Sequence, residues 1–244
     1  MTREKSIYIG TSGWSYKHWR GNFYPENISE KEYLKYYCKH FGTVEINSSF
    51  YHLLSKESVK NWIETAPIDF LFAVKASRYI THMKKLKEPE KTTVNFFKSI
   101  KPFENKIGPI LFQLPPIFGF NPQRLENFVK VLPKDYRYAF EFRNKNWFNQ
   151  ETYNILLSHN IGFCIYNLGN YQSPKEITSD FVYIRLHGNY GLGSGKYSDE
   201  ELEKISDDIK DFKSQNKDVY CYFNNDEAGY AVENAFTLRK KSEL

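Results

Sequence analysis

The chain has 244 residues, a length that suits one barrel domain or two small ones. Hydrophobic residues make up 41% and charged residues 26%, enough for a large core, yet no apolar stretch reaches the roughly 20 residues that span a bilayer. The formal net charge of +5, with a pI near 8.8, is mild and reads as solubility rather than as a dedicated polyanion surface.

MTREKS runs directly into the first strand, so no secretory leader is expected and cytoplasmic residence is. Cys38, Cys164 and Cys221 are widely spaced and form no CxxC pair. They read as thiols in a reducing compartment, not as zinc ligands.

In chain order, apolar runs that finish in polar or reactive residues recur. The first is IYIGTSGW (7–14), followed by a helix start at Ser29-Glu30-Lys31-Glu32, where Ser and Glu have the spacing of a capping box. VEINSSFY (44–51) leads to a helix around 59–66 that Ser55 caps. FLFAVKASR (70–78) opens a long connection over 76–108, with room for a rim loop and a helix. PILFQLPP (109–116) precedes Asn121-Pro122, an N-cap with a first-turn proline. YAFEFRNKNW (138–147) precedes Asn149, the cap of a helix around 152–158. GFCIYN (162–167) is the sixth strand, and the polar stretch 168–180 lacks a full helix. FVYIRLHG (181–188) leads to a second capping box at Ser198-Asp199-Glu200-Glu201. VYCYFNND (219–226) leads to a last helix over about 228–239, whose Ala228, Gly229, Ala231 and Ala235 permit close packing.

Strands alternating with helices predict parallel βα units, hence an α/β chain of TIM-type (β/α)8 barrel class. One domain over 1–244 is expected, with an insertion-like connection after the third strand. Such a barrel gathers the carboxyl ends of its strands on one rim, where active sites of this architecture sit.

Period-two alternation sorts the side chains by face. Tyr183, Arg185 and His187 oppose Ile184 and Leu186; Glu141 and Arg143 oppose Phe140 and Phe142. Glu45 and Asn47 oppose Val44 and Ile46, Lys75 opposes Val74, and Gln113 opposes Phe112 and Leu114. Tyr220, Tyr222 and Asn224 oppose Val219, Cys221 and Phe223. The apolar faces belong under helices, which turns the polar set into the barrel mouth.

The catalytic candidates are therefore Glu45, Lys75, Glu141, Arg143, Arg185 and His187. Three cations against two carboxylates leave a positive excess, which favours an anionic ligand, and the arginine fork suits carboxylate or phosphate. His187 or either glutamate can act as a general base, while Lys75 and the arginines can stabilise developing negative charge. Gln113, Asn224 and Asn225 would orient the substrate. Trp14, Tyr16, Trp147 and Tyr197, on loops after strands, would stack on it, with Asn47 and His82 completing the binding set. The same residues also admit a purely structural ionic layer, in which Glu141 pairs with Arg143 and Glu45 neutralises Lys75.

Other signals are weaker. Gly191, Gly193 and Gly195 suit a flap over the mouth, but the spacing is not that of a P-loop. No HExxH and no close histidine pair occurs, so no cofactor motif is present and a divalent metal is not favoured. The basic stretch His82-Met83-Lys84-Lys85-Leu86-Lys87 reads as a solvated face or as a nucleic-acid contact, which would make binding steeply salt-dependent.

GTSGWSYKHWRGNFYP, VEINSSFY, FAVKASRYITH, ILFQLPP, AFEFRNKNWF, FVYIRLHG and YFNNDEAGYAVENA, spread in order over about 7–238, together resemble the YecE-like family, the domain-of-unknown-function family seventy-two. The resemblance implies a TIM barrel and implies no activity. The family barrel is similar in fold to metal-dependent endonucleases and sugar isomerases, from which nucleic-acid binding follows by analogy only. The carboxylate and histidine ligand set of those enzymes is not evident in this sequence. An enzyme, a hydrolase or isomerase acting on a small phosphorylated or carboxylated compound, is the leading expectation; a nucleic-acid-binding protein and a non-catalytic barrel are the alternatives.

Overall fold

The computed structural model describes residues 6–191 and 193–242. Its strands are β1 (Ile7–Thr11), β2 (Thr43–Ile46), β3 (Leu71–Lys75), β4 (Ile107–Leu114), β5 (Tyr138–Phe142), β6 (Gly162–Leu168), β7 (Tyr171–Gln172), β8 (Phe181–Leu186) and β9 (Asp218–Phe223). Its α-helices are α1 (Tyr33–Tyr37), α2 (Ser48–Tyr51), α3 (Lys56–Thr65), α4 (Pro89–Thr92), α5 (Val94–Ile100), α6 (Pro122–Lys130), α7 (Gln150–Ser158), α8 (Asp199–Ser214) and α9 (Tyr230–Lys241). The strands pair in the order β1-β9-β8-β6-β5-β4-β3-β2, with β7 antiparallel on β6. The fold is α/β of the TIM (β/α)8 class, as the alternation predicts. Among the described residues, no helix is long and apolar enough to cross a membrane.

Contacts gather the chain into two compact units, Met1–Glu45 with Ile165–Lys175 and Asp180–Leu244, and Ile46–Cys164 with Glu176–Ser179. Two of the boundaries fall inside β2 and β6, and the other two bracket Glu176–Ser179.

In the first unit, β1, β8 and β9 are built from β-branched and aromatic residues and run parallel, with Tyr8 opposite Tyr220 and Arg185 opposite Tyr222. Gly10 has no side chain because a Cβ would stand 2.3 Å from Thr43 O. The helix α9 packs on β1 and β9, and α8 packs on α9 and β9. The capping box at Ser198 starts α8 as expected, with Ser198 Oγ accepting from Glu201 N and Glu201 returning to Ser198 N. Ser29 differs: its hydroxyl donates to the Glu32 carboxylate at 3.0 Å and caps no backbone donor, because a single 3₁₀ turn follows it. No helix separates β6 from β8. The outward side chains Ile165, Ile184 and Leu186 therefore meet Ile205 and Phe212 of α8 around a cleft of about 210 Å³.

In the second unit, β3, β4 and β5 are parallel, and Gln113 stands opposite Glu141. Phe112 and Phe140 pack against Phe128 of α6, confirming the apolar outer face. Asn121, Asn149 and Ser55 cap α6, α7 and α3 through hydrogen bonds to Arg124 N, Thr152 N and Ser58 N. One strand-like run turns helical early, 48–51 becoming α2, and a π-helical turn, Tyr79–Met83, stands in the connection after β3.

After β8 the chain turns at Gly188, whose φ is +98° and whose Cβ would lie 1.9 Å from Ser194 O. Gly188→Ala should therefore cost at least about 3 kcal/mol in urea denaturation, combining left-handed strain with a backbone clash. Gly42→Ala, where a Cβ meets nothing within 4 Å, should stay within about 0.5 kcal/mol of the wild type.

Candidate functional site

At the strand ends of the first unit a buried polar chain starts from Glu45. Ser12 Oγ donates to Glu45 Oε1 at 2.6 Å, Arg185 Nη2 donates to the same oxygen at 2.8 Å, and the Tyr183 hydroxyl donates to Oε2 at 2.7 Å. The strands fix this meeting: Ser12 follows β1 and bridges Glu45 of β2, while Tyr183 and Arg185 alternate onto one face of β8. Burial alone would raise the Glu45 pKa, but the Arg185 charge and the hydrogen bonds from Ser12, Arg185 and Tyr183 outweigh it and hold the carboxyl below its ordinary value.

The chain continues outward. Arg185 Nη1 lies 3.4 Å from His187 Nε2, and the Asn224 amide lies 2.9 Å from His187 Nδ1. The Asn224 atom at Nδ1 is the amide nitrogen Nδ2, a donor, so Nδ1 accepts this 2.9 Å hydrogen bond, the shorter of the two contacts to the ring. Asn224 is itself placed by its N–H, which donates to Leu186 O at 2.7 Å. Glu45, Arg185 and His187 are buried and Asn224 is partly exposed, so the series runs from the interior to the surface.

A second polar cluster stands beside it. The Tyr16 hydroxyl donates to Ser12 O at 2.6 Å. Burial, then the charges of Asp226 and Glu45, push the Tyr16 pKa well up, so it serves as a neutral donor. Asp226, just past β9, takes a 2.6 Å hydrogen bond from the Trp19 indole on Oδ1, and His18 Nε2 lies 3.0 Å from Oδ2. Burial pushes the Asp226 carboxyl up to about 6, against the restraining bonds from Trp19 and His18.

The candidates of the second unit form their own pairs. Glu141 and Arg143 are ion-paired as the structural alternative anticipated, and Cys164 Sγ lies 3.9 Å from Glu141 Oε2. Lys75 Nζ sits 4.3 Å above the Phe50 ring, and Phe50 meets His82 edge-on at 5.0 Å. Burial, then the nearby charges of Lys75 and Arg78, lower the His82 pKa. Asn47 occupies the N-cap position of α2, and its Oδ1 is buried without a hydrogen-bond partner. Lys84 is paired with Glu88 at 3.3 Å.

Several expectations need correction. Glu45 is paired with Arg185 rather than serving to neutralise Lys75. Trp147 is fully buried; its indole donates to Phe118 O and its ring stacks on Phe142, so it offers no face to a ligand. Tyr197 is buried too, its hydroxyl donating to Asn167 Oδ1 and accepting from Gly188 N. Asn225 is a clamp whose amide donates to Gly195 O and Asn234 Oδ1. Trp14 lies in the core. The glycine loop is braced rather than a loose flap: Gly193 N donates to His187 O and Gly195 N to Glu227 Oε2. Ser12, Tyr183, His18, Trp19 and Asp226 were not singled out by the sequence. Of these, Tyr183 had a usable signal in its shared face with Arg185. Among the described residues, no group of three His, Cys, Asp or Glu side chains stands ready for a metal ion.

Two measurements follow. Glu45→Gln leaves Arg185 buried without its carboxylate and should cost about 3 kcal/mol in urea denaturation, most of it recovered in Glu45→Gln/Arg185→Met. Asp226 has a folded pKa of about 6 against an ordinary 3.8. The folded state thus holds a proton that the unfolded state releases, and this contribution to stability, full below pH 3.8, is lost as pH rises through 6. Asp226→Asn should lack that loss, so its stability relative to wild type should grow between pH 4 and pH 7 by on the order of 2 kcal/mol.

Comparison with known proteins agrees with the architecture. The family model described as Protein of unknown function DUF72 matches residues 8–244. The UPF0759 protein YunF of Bacillus subtilis (strain 168) is 28% identical over 263 aligned positions, covering 93% of this chain and 92% of that protein. The UPF0759 protein YecE of Escherichia coli (strain K12) is 32% identical over 145 positions, 58% of this chain and 50% of its own length. A crystal structure of a DUF72 family protein from Thermotoga maritima MSB8 is 32% identical, superposes with a TM-score of 0.89 and covers 98% of this chain and all (100%) of its own. Another, from Enterococcus faecalis V583, is 22% identical with a TM-score of 0.82 over 98% of this chain and 96% of its own, and supports the fold alone. The chain belongs to the DUF72 family.

Proposed function

We propose that this protein is an enzyme that takes a small phosphorylated or carboxylated substrate at the carboxyl ends of its strands and acts on it by general acid–base chemistry, in a hydrolysis or an isomerisation. The observation that carries this reading is the hydrogen-bonded series from Glu45 through Arg185 and His187 to the partly exposed Asn224. A buried ion pair is an uneconomical way to stabilise a core, since apolar residues of similar volume often do as well or better. It is an effective way to hold the partly exposed Asn224 in fixed orientation at a strand end, where a substrate anion would meet an amide already aligned by the buried Arg185 and His187 behind it. A second reading, nucleic-acid binding, draws on the exposed Tyr51, Tyr79 and Met83 together with Lys84, Lys85 and Lys87 of the second unit.

One thermal-shift screen separates them, using inorganic phosphate, phosphorylated and carboxylated metabolites, and a single-stranded oligonucleotide. A ligand at a hundredfold its Kd stabilises the native state by about 2.7 kcal/mol. Stabilisation by a small anion that is lost in His187→Gln and Asn224→Ala supports the enzyme reading. A shift from the oligonucleotide alone, falling steeply with salt, replaces it with the second. Small-anion shifts that survive both substitutions unchanged remove the strand-end site from consideration.

A further inference from the structure

Two carboxylates stand close to the strand ends of the first unit, and their surroundings differ in kind. Glu45 is fully buried, and its two oxygens take three hydrogen bonds, one of them from a guanidinium. Asp226 takes one bond from the Trp19 indole on Oδ1, and its Oδ2 faces an imidazole. The His18 side chain is 48% exposed and that of Asp226 17%. Tyr16 connects the two places, with its hydroxyl on Ser12 O and its ring 5.6 Å from that of His18.

The geometry at His18 determines which nitrogen carries the proton. Nε2 lies 3.0 Å from Asp226 Oδ2 and 3.0 Å from Asp226 O. Both are acceptors when the carboxyl is ionised, so Nε2 is the donor and the lone pair of the neutral ring lies on Nδ1. A carboxylate behind one ring nitrogen, itself anchored by a second donor, is the arrangement that fixes the tautomer and holds the ring still.

We propose that His18, oriented by Asp226, is the group that exchanges a proton with substrate at this site, and that Glu45 takes no proton. This rests on the acid–base reading above and deepens it. In the step, His18 Nδ1 uses its lone pair to form an N–H bond as the X–H bond of the substrate breaks and leaves its electron pair on X. The imidazolium so formed is held by the Asp226 carboxylate, and the same proton returns to the product. Asp226 is the positioning residue. The groups that face it are His18 and Trp19, with Tyr16 and Tyr24 also sensing its charge. Its elevated pKa sets a lower limit: below about pH 6 the carboxyl is protonated and its hold on the ring weakens. Glu45 differs, because the Arg185 charge and the hydrogen bonds from Ser12, Arg185 and Tyr183 hold its carboxyl below the ordinary carboxylate range.

The test needs no substrate. In protein labelled with ¹⁵N in the histidine rings and ¹³C in the aspartate carboxyls, His18 at pH 8 should show the Nε2–H tautomer. The Asp226 carboxyl should titrate near pH 6, and His18→Gln should move that midpoint upward by about one unit. Diethyl pyrocarbonate should acylate His18 at Nδ1, mapped by peptide mass, and Asp226→Asn should slow this by roughly tenfold, with Asp226→Glu restoring most of the rate. An Nδ1–H tautomer at His18, an Asp226 midpoint unmoved by His18→Gln, or equal acylation of wild type and Asp226→Asn overturns the assignment. His18→Gln, a change at a half-exposed ring, keeps the test decisive if Asp226→Asn fails to fold. The readouts are independent of small-anion binding, so this pair can fail while the strand-end anion site stands, and the anion site can fail while the pair stands.

Discussion

The ion pair between Glu45 and Arg185 is the constraint around which the first unit is arranged. Removing a carboxylate and a guanidinium from water costs several kcal/mol each, and attraction between them offsets this only when the remaining donors and acceptors are also engaged. Ser12 and Tyr183 supply that engagement from the ends of β1 and the middle of β8. The carboxylate of β2 thereby ties the residue after β1 to two residues of β8, and Thr43 of β2 adds a 2.7 Å hydroxyl contact to Tyr222 of β9. A shift of β8 by one residue would turn Arg185 to the opposite face and leave Glu45 charged without its guanidinium. The pair thus specifies alignment more than it adds stability, and His187 and Asn224 inherit their positions from it.

The same physics explains why two nearby carboxyls behave in opposite ways. Burial raises the pKa of both, and what differs is the supply of donors. Glu45 has a formal positive charge and three hydrogen bonds; Asp226 has one neutral indole and one imidazole. Environments that drive the affinities of two acids apart are how one fold keeps one group ionised and another exchangeable at the same pH.

Much of this was legible in the sequence because it rests on short-range periodicity. Strand polarity, the two-residue alternation that puts Arg185 with Tyr183 and Ile184 with Leu186, and the caps at Asn121, Asn149 and Ser198 all depend on neighbours a few residues apart. What was not legible depends on distant partners. Asp226 closes the run VYCYFNND, and nothing in its neighbours marks it for burial; its bond to Trp19 brings together positions 207 apart in the chain. Trp147 looked like a rim aromatic because it ends a strand-like run, but the 3₁₀ turn Lys145–Trp147 folds it back onto Phe142. The run after Ile46 continues the composition of a strand, yet the Ser49 hydroxyl donates to Lys75 O at 2.6 Å with Ile46 O also 3.1 Å away, a placement that favours a helical turn no local preference revealed.

The glycine-rich loop after β8 shows why backbone freedom need not mean motion. Gly188, Gly193 and Gly195 all have positive φ, conformations that cost an L-residue 1 kcal/mol or more and that glycine adopts readily. The loop uses that freedom to aim backbone groups. Gly193 N returns to His187 O, Gly193 O accepts from Glu227 N, and Gly195 O accepts from Asn225. The segments after β8 and β9 are therefore joined by hydrogen bonds at Asn225 and Glu227, the neighbours of Asn224 and Asp226. A loose flap would leave those two residues to find their geometry on each encounter with a ligand. The braced loop supplies it beforehand, and the ordering entropy is met once, during folding, rather than at each binding event.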